Sequence, residues 1–485
     1  MGGPLSDPGR ARSGYRPLSS AGEPMWFGPD HRMGPWSYGE LIARAHPWPV
    51  SWLFPPRPGD PPRIVNLFAG PAGWEQGLRI LDPRPGAFDV VGVEIGPDAA
   101  ATARAAGHRR IVCDVRTLDP THPALRHVVG LIVSAPCQVW TPAGKRQGRD
   151  ERNIRLLEEV LSRAVEGSFG HWHDDGECDE AGTCTICCDP AWDGNGGWTG
   201  PLLSRADVRE PIAQMSDPSI GLIAETVIWA LTLTARFDAL CWLAMEQSSA
   251  LPHVVTDALR DALDLADWYS SDVRTLDAAD IGLASHRRRT YLVAGRHQGV
   301  SLSAAQPADP MPARTAAQAL GWRQGIRVNT RGNRSTAGGN EWSADATATA
   351  ITGRSRSWYW ADDPERRITT GEASLLVGMP ADHPWEGSPS AQHGQIGDVV
   401  APTEAARVLA QLVGRPWPEP VRSYLENLYS PASQALAAAT DARLLTRRAA
   451  AAASSSPALP GLEDLGSLPA PAPTQSPRRA AGPGR

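Results

Sequence analysis

The segment RIVNLFAGPAGW, residues 63–74, constrains the fold of this chain more than any other part of the sequence. Its β-prone apolar run predicts a strand, and the small residues after it predict a tight turn into a helix. Further strand candidates, separated by helical segments, are FDVVGVEI (88–95), RRIVCDV (109–115), GLIVSAP (130–136), CWLAME (241–246) and RTYLVAG (289–295). Strands that alternate with helices predict an α/β fold, in which a parallel sheet carries helices on both faces.

Changes in composition divide the 485 residues into regions, as expected for a chain of this length. The predicted regions are a Pro- and Trp-rich extension (1–60), an α/β region (61–295) with a Cys- and Gly-rich insertion (167–216), a region of weak periodicity (296–367), a return to helical patterns (368–429), and an Ala- and Pro-rich tail (430–485). The tail carries too little apolar surface to fold alone, and we expect it to be disordered.

Charge is distributed unevenly along the chain. The formal net charge of −6 excludes a uniformly basic nucleic-acid-binding protein. Between residues 285 and 370, however, thirteen arginines against six acidic residues leave a local charge of +7, interleaved with tryptophans. This composition predicts a segment that faces nucleic acid, and a solvated loop region is the alternative that it leaves open.

The seven cysteines bear on both compartment and metal binding. An odd number in a large chain, without a signal peptide, predicts reduced thiols in the cytoplasm. No stretch is expected to reach the ~20 apolar residues of a membrane span. Four cysteines in the insertion have a spacing that suits structural zinc, and a flexible insertion with reduced thiols is the alternative. These four are Cys178, Cys184, Cys187 and Cys188.

Polar residues that end neighbouring strands predict a nucleoside pocket. The turn at 69–74 leaves room for a ligand to approach the backbone. Glu94 ends the second strand about twenty residues further on, where a carboxylate can accept hydrogen bonds from both ribose hydroxyls. Asp114 follows the third strand and can accept a hydrogen bond from an adenine amino group. Together these features indicate a nucleoside cofactor, although each acid alone is more often a helix cap or a surface charge.

Cys137 follows the fourth strand, beside whatever the first three strand ends bind. A cysteine in this position can be an inert small hydrophobe, a metal ligand or a nucleophile. A nucleophile needs a lowered pKa, and Arg287 and Arg289 are the candidate cations for lowering it. Glu246 ends the next strand, so the pocket is expected to hold a thiol, a carboxyl group, arginines and a nucleoside cofactor.

Seven motifs resemble, in order, those of the DNA (cytosine-5) methyltransferases, and they extend over most of residues 63–412. The motifs are NLFAGPAGW, SAPCQ, DPSIGL, MEQSS, SHRRR, RITTGEASLLVGMP and GQIGDVVAP. Single residues depart from those usual in the family, with Asn66 for Asp, Gln247 for Asn, Ser285 for Gln and Asp398 for Asn, and Val139-Trp140-Thr141 replaces a Phe-Ser type continuation. None of these departures removes a catalytic group.

The resemblance implies a Rossmann-like, S-adenosylmethionine-dependent methyltransferase domain with a small irregular target-recognition region at 296–367. Its implied reaction is methylation of cytosine carbon 5 in duplex DNA. The Cys137 thiolate would add to ring carbon 6 of a flipped-out base, and Glu246 would act at ring nitrogen 3. Arg289 would hold the carbonyl oxygen of the base, and Arg287 would support the thiolate. Residues implied to bind the cofactor are Phe68, Ala69, Gly70, Gly73, Trp74, Glu94, Ile95, Asp114, Pro136 and Val399.

Three alternatives stay open at this point. An RNA cytosine-5 methyltransferase would share the pocket chemistry. A catalytically silent DNA-binding homologue would share the fold, although the intact Cys137, Glu246 and Arg289 argue against it. A nicotinamide-dependent enzyme would need a G-x-G-x-x-G spacing that the turn lacks. We expect a monomer, and a restriction endonuclease partner is left open.

Overall fold

The computed structural model describes residues 59–118, 125, 127–141, 147–169, 205–237, 239–303, 305, 311–330 and 340–441. Nearly all of the predicted N-terminal extension and most of the cysteine-rich insertion lie outside these ranges. Residues up to Asp441 group into one compact unit, and Ala442–Arg485 is a second unit that lies outside the described residues.

A seven-stranded sheet forms the centre of the described chain. Its strands are β1 (Arg63–Leu67), β2 (Asp89–Val93), β3 (Arg109–Ile111), β4 (Val128–Val133), β5 (Trp242–Ser248), β6 (Ser270–Asp277) and β7 (Arg288–Gly295). Their order across the sheet is β3-β2-β1-β4-β5-β7-β6. Only β7 runs antiparallel to its neighbours within this sheet. The predicted α/β, Rossmann-like fold with a parallel-dominated sheet is confirmed.

Helices cover both faces of the sheet. They are α1 (Gly73–Leu81), α2 (Pro97–Ala105), α3 (Glu151–Phe169), α4 (Arg205–Arg209), α5 (Glu225–Phe237), α6 (His253–Leu265), α7 (Ala316–Leu320), α8 (Thr370–Leu376), α9 (Pro389–Asp398), α10 (Pro402–Leu409), α11 (Pro418–Leu428) and α12 (Pro431–Ala438). Successive side chains of β1 point to opposite faces, so Ile64 joins one hydrophobic cluster while Val65 and Leu67 join the other. Burial on both sides explains why the strands read as continuous apolar runs.

The strand order places a ligand crevice at the carboxyl ends of β1 and β4. From β1 the chain builds the sheet outward through β2 and β3, and it then returns to the other side of β1 with β4. Ligands of open α/β sheets bind in the crevice outside the strand ends at such a reversal. The turn that follows β1 and the loop that carries Cys137 both lie at this point.

One segment, Pro218–Ala235, is long and apolar enough by length and composition to span a membrane. The expectation that no stretch would reach this level is wrong for this segment. However, 72% of it is buried inside the protein, with Ile228 and Trp229 fully buried in the core. A core helix passes the same test, so the segment is only weak evidence for a membrane span.

Two further elements lie where the sequence pattern did not predict them. The region of weak periodicity contains a four-stranded antiparallel sheet in the order β11-β10-β8-β9. Its strands are β8 (Arg327–Asn329), β9 (Glu341–Ser343), β10 (Tyr359–Trp360) and β11 (Asp363–Arg367). The predicted tail was also placed too early, because α12 begins at Pro431 and packs on α8. There the Thr369 hydroxyl donates to the Ala437 carbonyl at 2.7 Å, and Ala437 is fully buried.

Gly130 in β4 provides a stability test of this packing. A Cβ on Gly130 would lie 2.1 Å from the ring of Trp242 on the adjacent strand. We therefore expect Gly130→Ala to lower the free energy of unfolding by about 1–3 kcal/mol, the usual range for an overpacked core. Thermal or urea unfolding measures the change. Gly86→Ala is the comparison for backbone strain without overpacking. At Gly86 φ is positive, and nothing lies within 4 Å of the added methyl group.

Candidate active site

The turn between β1 and α1 exposes part of its backbone to the crevice. Phe68, Gly70 and Ala72 all have positive φ, at 55°, 54° and 88°. A Cβ on Gly70 would meet nothing within 4 Å, so this position borders open space. Gly73 is the opposite case, because a Cβ there would lie 2.1 Å from the carbonyl oxygen of Val400. The turn is therefore closely packed on one side and free for a ligand on the other.

Glu94 is fixed beside this turn by two backbone donors. The Gly70 amide donates to Oε2 at 2.8 Å, and the Gly96 amide donates to Oε1 at 2.7 Å. Each carboxylate oxygen keeps a further lone pair that can accept from a hydroxyl group. Next to it, Ile95 is 63% exposed, which presents an apolar side chain to a flat ligand. The ribose contact of Glu94 and the cofactor contact of Ile95 both stay predictions.

A cavity of about 280 Å³ joins the turn to the catalytic candidates. The predicted residues that line it are Phe68, Ala69, Gly70, Gly73, Trp74, Glu94, Ile95, Pro136, Cys137, Glu246, Arg289 and Val399. Sequence reasoning did not select the other lining residues, which are Pro71, Ala99, Ser134, Ala135, Gln138, Gln395, Asp398 and Val400. For one of them, Asp398, the sequence does carry a signal, because it departs from the Asn usual in the family.

Two predicted residues are not in the lining. Asp114 lies beyond the end of β3, and its carboxylate pairs with Arg116 at 2.6 Å. This ion pair and its hydrogen bonds hold the pKa of Asp114 below its usual range. Arg287 is 2% exposed behind the cavity wall, where its Nη1 donates to the Gly397 carbonyl at 3.1 Å. The structure therefore does not bring Asp114 into the cavity, and it gives Arg287 a buried place next to it.

The loop that carries Cys137 is anchored on both sides. Before the cysteine, the Trp74 indole donates to the Ser134 hydroxyl at 2.8 Å. The side-chain amide of Gln247, at the end of β5, donates to the Ala135 carbonyl at 3.0 Å. Gln247 is one of the departures from the family pattern, and here it ties β5 to the loop. After the cysteine, the Trp140 amide returns to the Cys137 carbonyl at 3.0 Å, which closes a turn.

Glu246 and Arg289 form an ion pair in the cavity wall. Arg289 Nε lies 2.9 Å from Glu246 Oε1, with side-chain exposures of 19% and 9%. The pairing of β5 with β7 produces this contact, because it places Ser248 opposite Arg289 and Glu246 opposite Tyr291. Arg287 contributes charge from behind, and its Nε and Nη2 are buried without a hydrogen-bond partner. Two arginines thus flank one carboxylate beside the thiol.

The pKa of the Cys137 thiol is raised, so the expectation of a lowered thiol pKa is wrong, although Arg287 and Arg289 act in the expected direction. Burial is the largest cause, and the Glu246 carboxylate adds to it. The two arginines oppose the shift, and they do not outweigh burial and the neighbouring acid. Burial also raises the pKa of Glu246, although the same two arginines act to lower it. Charge counting from the sequence missed desolvation, which penalises the thiolate and the carboxylate alike.

The raised thiol pKa has a direct test in cysteine alkylation. We expect the rate of Cys137 alkylation by iodoacetamide to rise with pH around a midpoint above about 8.5, the ordinary thiol value. In Glu246→Gln the midpoint should fall, because a negative neighbour is removed while both arginines stay. Mass spectrometry of the modified peptide measures the rate, and exposed Cys241 serves as an internal reference. A Cys137 midpoint at or below that of Cys241 would contradict the assignment.

Metal binding in the insertion stays a prediction. Cys178, Cys184, Cys187 and Cys188 lie outside the described residues. Within the described ranges, no group of three or more His, Cys, Asp or Glu side chains is placed to hold a metal ion.

Comparison with known proteins identifies the segment that carries this site. Residues 62–166 match the family model of the C-5 cytosine-specific DNA methylases. This segment belongs to that family. It includes the turn after β1, Glu94 and Cys137, so the resemblance indicated by the sequence motifs is confirmed. No curated protein matches the chain significantly.

Several solved methyltransferase structures show distant similarity to about three quarters of the chain. A putative DNA modification methyltransferase encoded within an E. coli prophage is 14% identical, covers 73% of this chain and 99% of its own, and gives a TM-score of 0.42. The Entamoeba histolytica methyltransferase EhMeth is 11% identical, covers 73% of this chain and 98% of its own, and gives a TM-score of 0.42. The S. pombe Dnmt2 methyltransferase is 12% identical, covers 72% of this chain and 98% of its own, and gives a TM-score of 0.45.

Proposed function

We propose that this protein methylates carbon 5 of cytosine in duplex DNA, through a covalent bond between Cys137 and a flipped-out base. The observation that carries the proposal is the shared cavity. Cys137, Glu246 and Arg289 line the same space as the turn after β1 and Glu94. A thiol, a carboxyl group and a guanidinium therefore face the place where a nucleoside cofactor fits.

The cavity fits S-adenosylmethionine, the methyl donor used in this family, which supplies an electrophilic methyl group when it is bound. Gly70 leaves open space where any side chain would project. Glu94 offers two oriented oxygens for ribose hydroxyls, and exposed Ile95 offers an apolar surface for the adenine ring. Trp74 and Pro136 complete the wall towards Cys137. Asp114 lies outside this wall, where it pairs with Arg116, and its contact with the adenine amino group stays a prediction.

The chemistry assigned to the chain's own residues follows from their charges. The Cys137 thiol gives its proton to water, and its sulfur adds to ring carbon 6 as the carbon 5–carbon 6 double bond opens, which makes carbon 5 nucleophilic. Glu246 has a raised pKa and can hold a proton at ring nitrogen 3, so negative charge does not accumulate on the ring. Arg289 orients Glu246 and can donate to the carbonyl oxygen of the base. After carbon 5 has accepted the methyl group, loss of its proton breaks the carbon–sulfur bond and releases Cys137.

Support for a DNA substrate comes from the family model and from the region that adjoins the cavity. The backbone around Thr352 and Gly353 packs directly on α9, because a Cβ on Gly397 would overlap Gly353. Helix α9 ends at Asp398, which lines the cavity. Arg354 is exposed next to this contact. This contact supports the proposal that the basic, Trp-bearing region binds phosphates and bases around a flipped cytosine.

The test supplies purified protein with radiolabelled S-adenosylmethionine and one of two substrates. One is unmethylated bacterial genomic DNA, and the other is total RNA that lacks 5-methylcytidine. Mass spectrometry of the digested nucleosides identifies the product. We expect 5-methyldeoxycytidine from DNA and none from RNA. 5-Methylcytidine from RNA would support the RNA alternative, and cofactor binding without any product would support the silent homologue.

A further inference from the structure

Arg110 is a charged side chain that lies fully buried beneath the turn after β1. Its side chain is 0% exposed, although arginine is rarely buried completely. It belongs to β3, two strands away from the turn that it reaches. The sequence analysis and the proposed chemistry give this residue no role, so its position calls for an explanation.

The sheet register gives Arg110 a path to the turn. Asn66 of β1 pairs with Gly92 of β2, and Gly92 pairs with Arg110 of β3. Residues that are directly opposite each other in adjacent strands project to the same face of the sheet. Because Gly92 has no side chain, the guanidinium crosses over β2. A Cβ on Gly92 would lie 2.2 Å from Arg110 Nη1 and 2.6 Å from Cζ.

The guanidinium of Arg110 donates hydrogen bonds to backbone carbonyl groups of the turn. Nε donates to the Gly70 carbonyl at 3.2 Å, while Nη2 donates to the Ala69 carbonyl at 3.3 Å and to the Gly70 carbonyl at 3.2 Å. Nη1 pairs with Glu75 Oε1 at 2.7 Å, in the first turn of α1. Asn66 Nδ2 donates to the same oxygen at 3.2 Å. One side chain thus joins β1, the turn and α1.

The same peptide groups connect Arg110 to the cofactor side of the turn. With the Ala69 carbonyl directed down to Arg110, the amide of Gly70 is directed to Glu94 Oε2, which accepts at 2.8 Å. The orientation of one peptide plane therefore links the buried cation to the carboxylate that faces the ribose. Arg110 itself is absent from the residues that line the cavity.

We infer that Arg110 is a positioning residue for the methyl donor: by fixing the carbonyls of Ala69 and Gly70, it holds the turn and Glu94 in the geometry that binds the cofactor. This inference rests on the proposed function for the identity of the ligand. The planar fork of arginine matches two carbonyls and a carboxylate at once, and lysine offers a single point charge. Arg110→Lys should therefore keep the charge beside Glu75 and lose the hold on the turn.

The experiment compares the affinity of four proteins for S-adenosylmethionine by calorimetry. We expect Arg110→Lys to weaken binding by roughly 10- to 100-fold, the loss of one or more charge-assisted hydrogen bonds. Gly92→Ala should weaken it as well, because the new methyl group occupies the path of the guanidinium. The matched control is Arg109→Lys, the neighbouring arginine on the same strand, whose side chain pairs with Asp89. Its affinity should stay within about twofold of wild type.

Two further readouts separate positioning from loss of the fold. At saturating cofactor, the kcat of Arg110→Lys should stay within about threefold of wild type while its KM for the cofactor rises. Hydrogen exchange of the amides of residues 69–74, measured without cofactor, should be faster in Arg110→Lys than in Arg109→Lys. If Arg110→Lys does not fold, Gly92→Ala tests the role in one direction. Wild-type affinity in Gly92→Ala would overturn the role, whereas weaker binding would not by itself support it, because the new methyl group would also lie 2.9 Å from the Ala69 Cβ in the turn.

The outcomes distinguish the two proposals. Wild-type affinity and exchange in folded Arg110→Lys or Gly92→Ala would overturn the positioning role while leaving the proposed function intact. A wild-type protein that does not bind S-adenosylmethionine would overturn the proposed function and the assigned ligand. In that case the exchange comparison alone decides whether Arg110 holds the turn.

Discussion

Cys137→Ser is expected to abolish methyl transfer, with a fall in turnover of at least ~10³-fold. A serine hydroxyl is a far weaker nucleophile than a thiol, and no cation in the cavity can compensate when burial already opposes the anion. Binding of S-adenosylmethionine should change by less than about twofold, because the oriented acceptors are provided by Glu94 and not by Cys137.

The control for this variant is Cys241→Ser. Cys241 is exposed and precedes β5, at the opposite end of the strand from Glu246. Both variants should show the thermal stability of the wild type and its affinity for the cofactor. Transfer that persists in Cys137→Ser at more than about a tenth of the wild-type rate would overturn the assigned nucleophile.

Glu246→Gln should lower turnover by roughly 10²- to 10⁴-fold, the usual range for loss of a general acid or base. The amide cannot deliver a proton to ring nitrogen 3, and Arg289 loses the carboxylate that orients it. The same change should make Cys137 easier to ionise, because a negative neighbour disappears. A thiol that becomes more reactive in an enzyme that becomes slower is the combination expected if Glu246 acts on the base.

The matched change on a second cavity carboxylate is Asp398→Asn. It restores the residue usual in the family, and Asp398 makes no ion pair with Arg289 among the described contacts. We expect it to keep at least about a third of the wild-type turnover. Steady-state rates at saturating substrates measure both variants. If Asp398→Asn is as slow as Glu246→Gln, the role of general acid does not belong to Glu246 alone.

The parallel core and the position of the site were predictable because several signals agree at each strand. In β1, β2 and β4 an apolar run predicts burial on both faces, and small or polar residues at its end predict the turn. The register then brings the strand ends together, so Glu94 and Cys137 could be assigned to one pocket without coordinates.

Strand β6 was missed because it lies at the edge of the sheet, where its sequence SSDVRTLD is half exposed and has no apolar run. Antiparallel β7 was read as a further parallel strand for lack of any sequence signal of direction. The small sheet at 327–367 has strands of two to five residues, too short for periodicity to show.

The electrostatics of the site were the least predictable feature. Counting arginines near Cys137 gave the correct neighbours and the wrong direction for the thiol pKa, because burial depends on packing that the sequence does not show. Arg110 was invisible for a related reason. Its role depends on the absence of a side chain at Gly92, a residue 18 positions earlier in the chain, and on the register that places the two side by side.

Trapping of the covalent intermediate tests the central claim most directly. Duplex DNA that carries 5-fluorocytosine at the methylated site cannot lose a proton from carbon 5, so the carbon–sulfur bond formed by the enzyme persists. Incubation with S-adenosylmethionine should give a denaturation-resistant complex, whose digested peptide carries the base on Cys137. Cys137→Ser should give none. A wild-type enzyme that methylates ordinary DNA and yet forms no such complex, or forms it through another residue, would contradict the account.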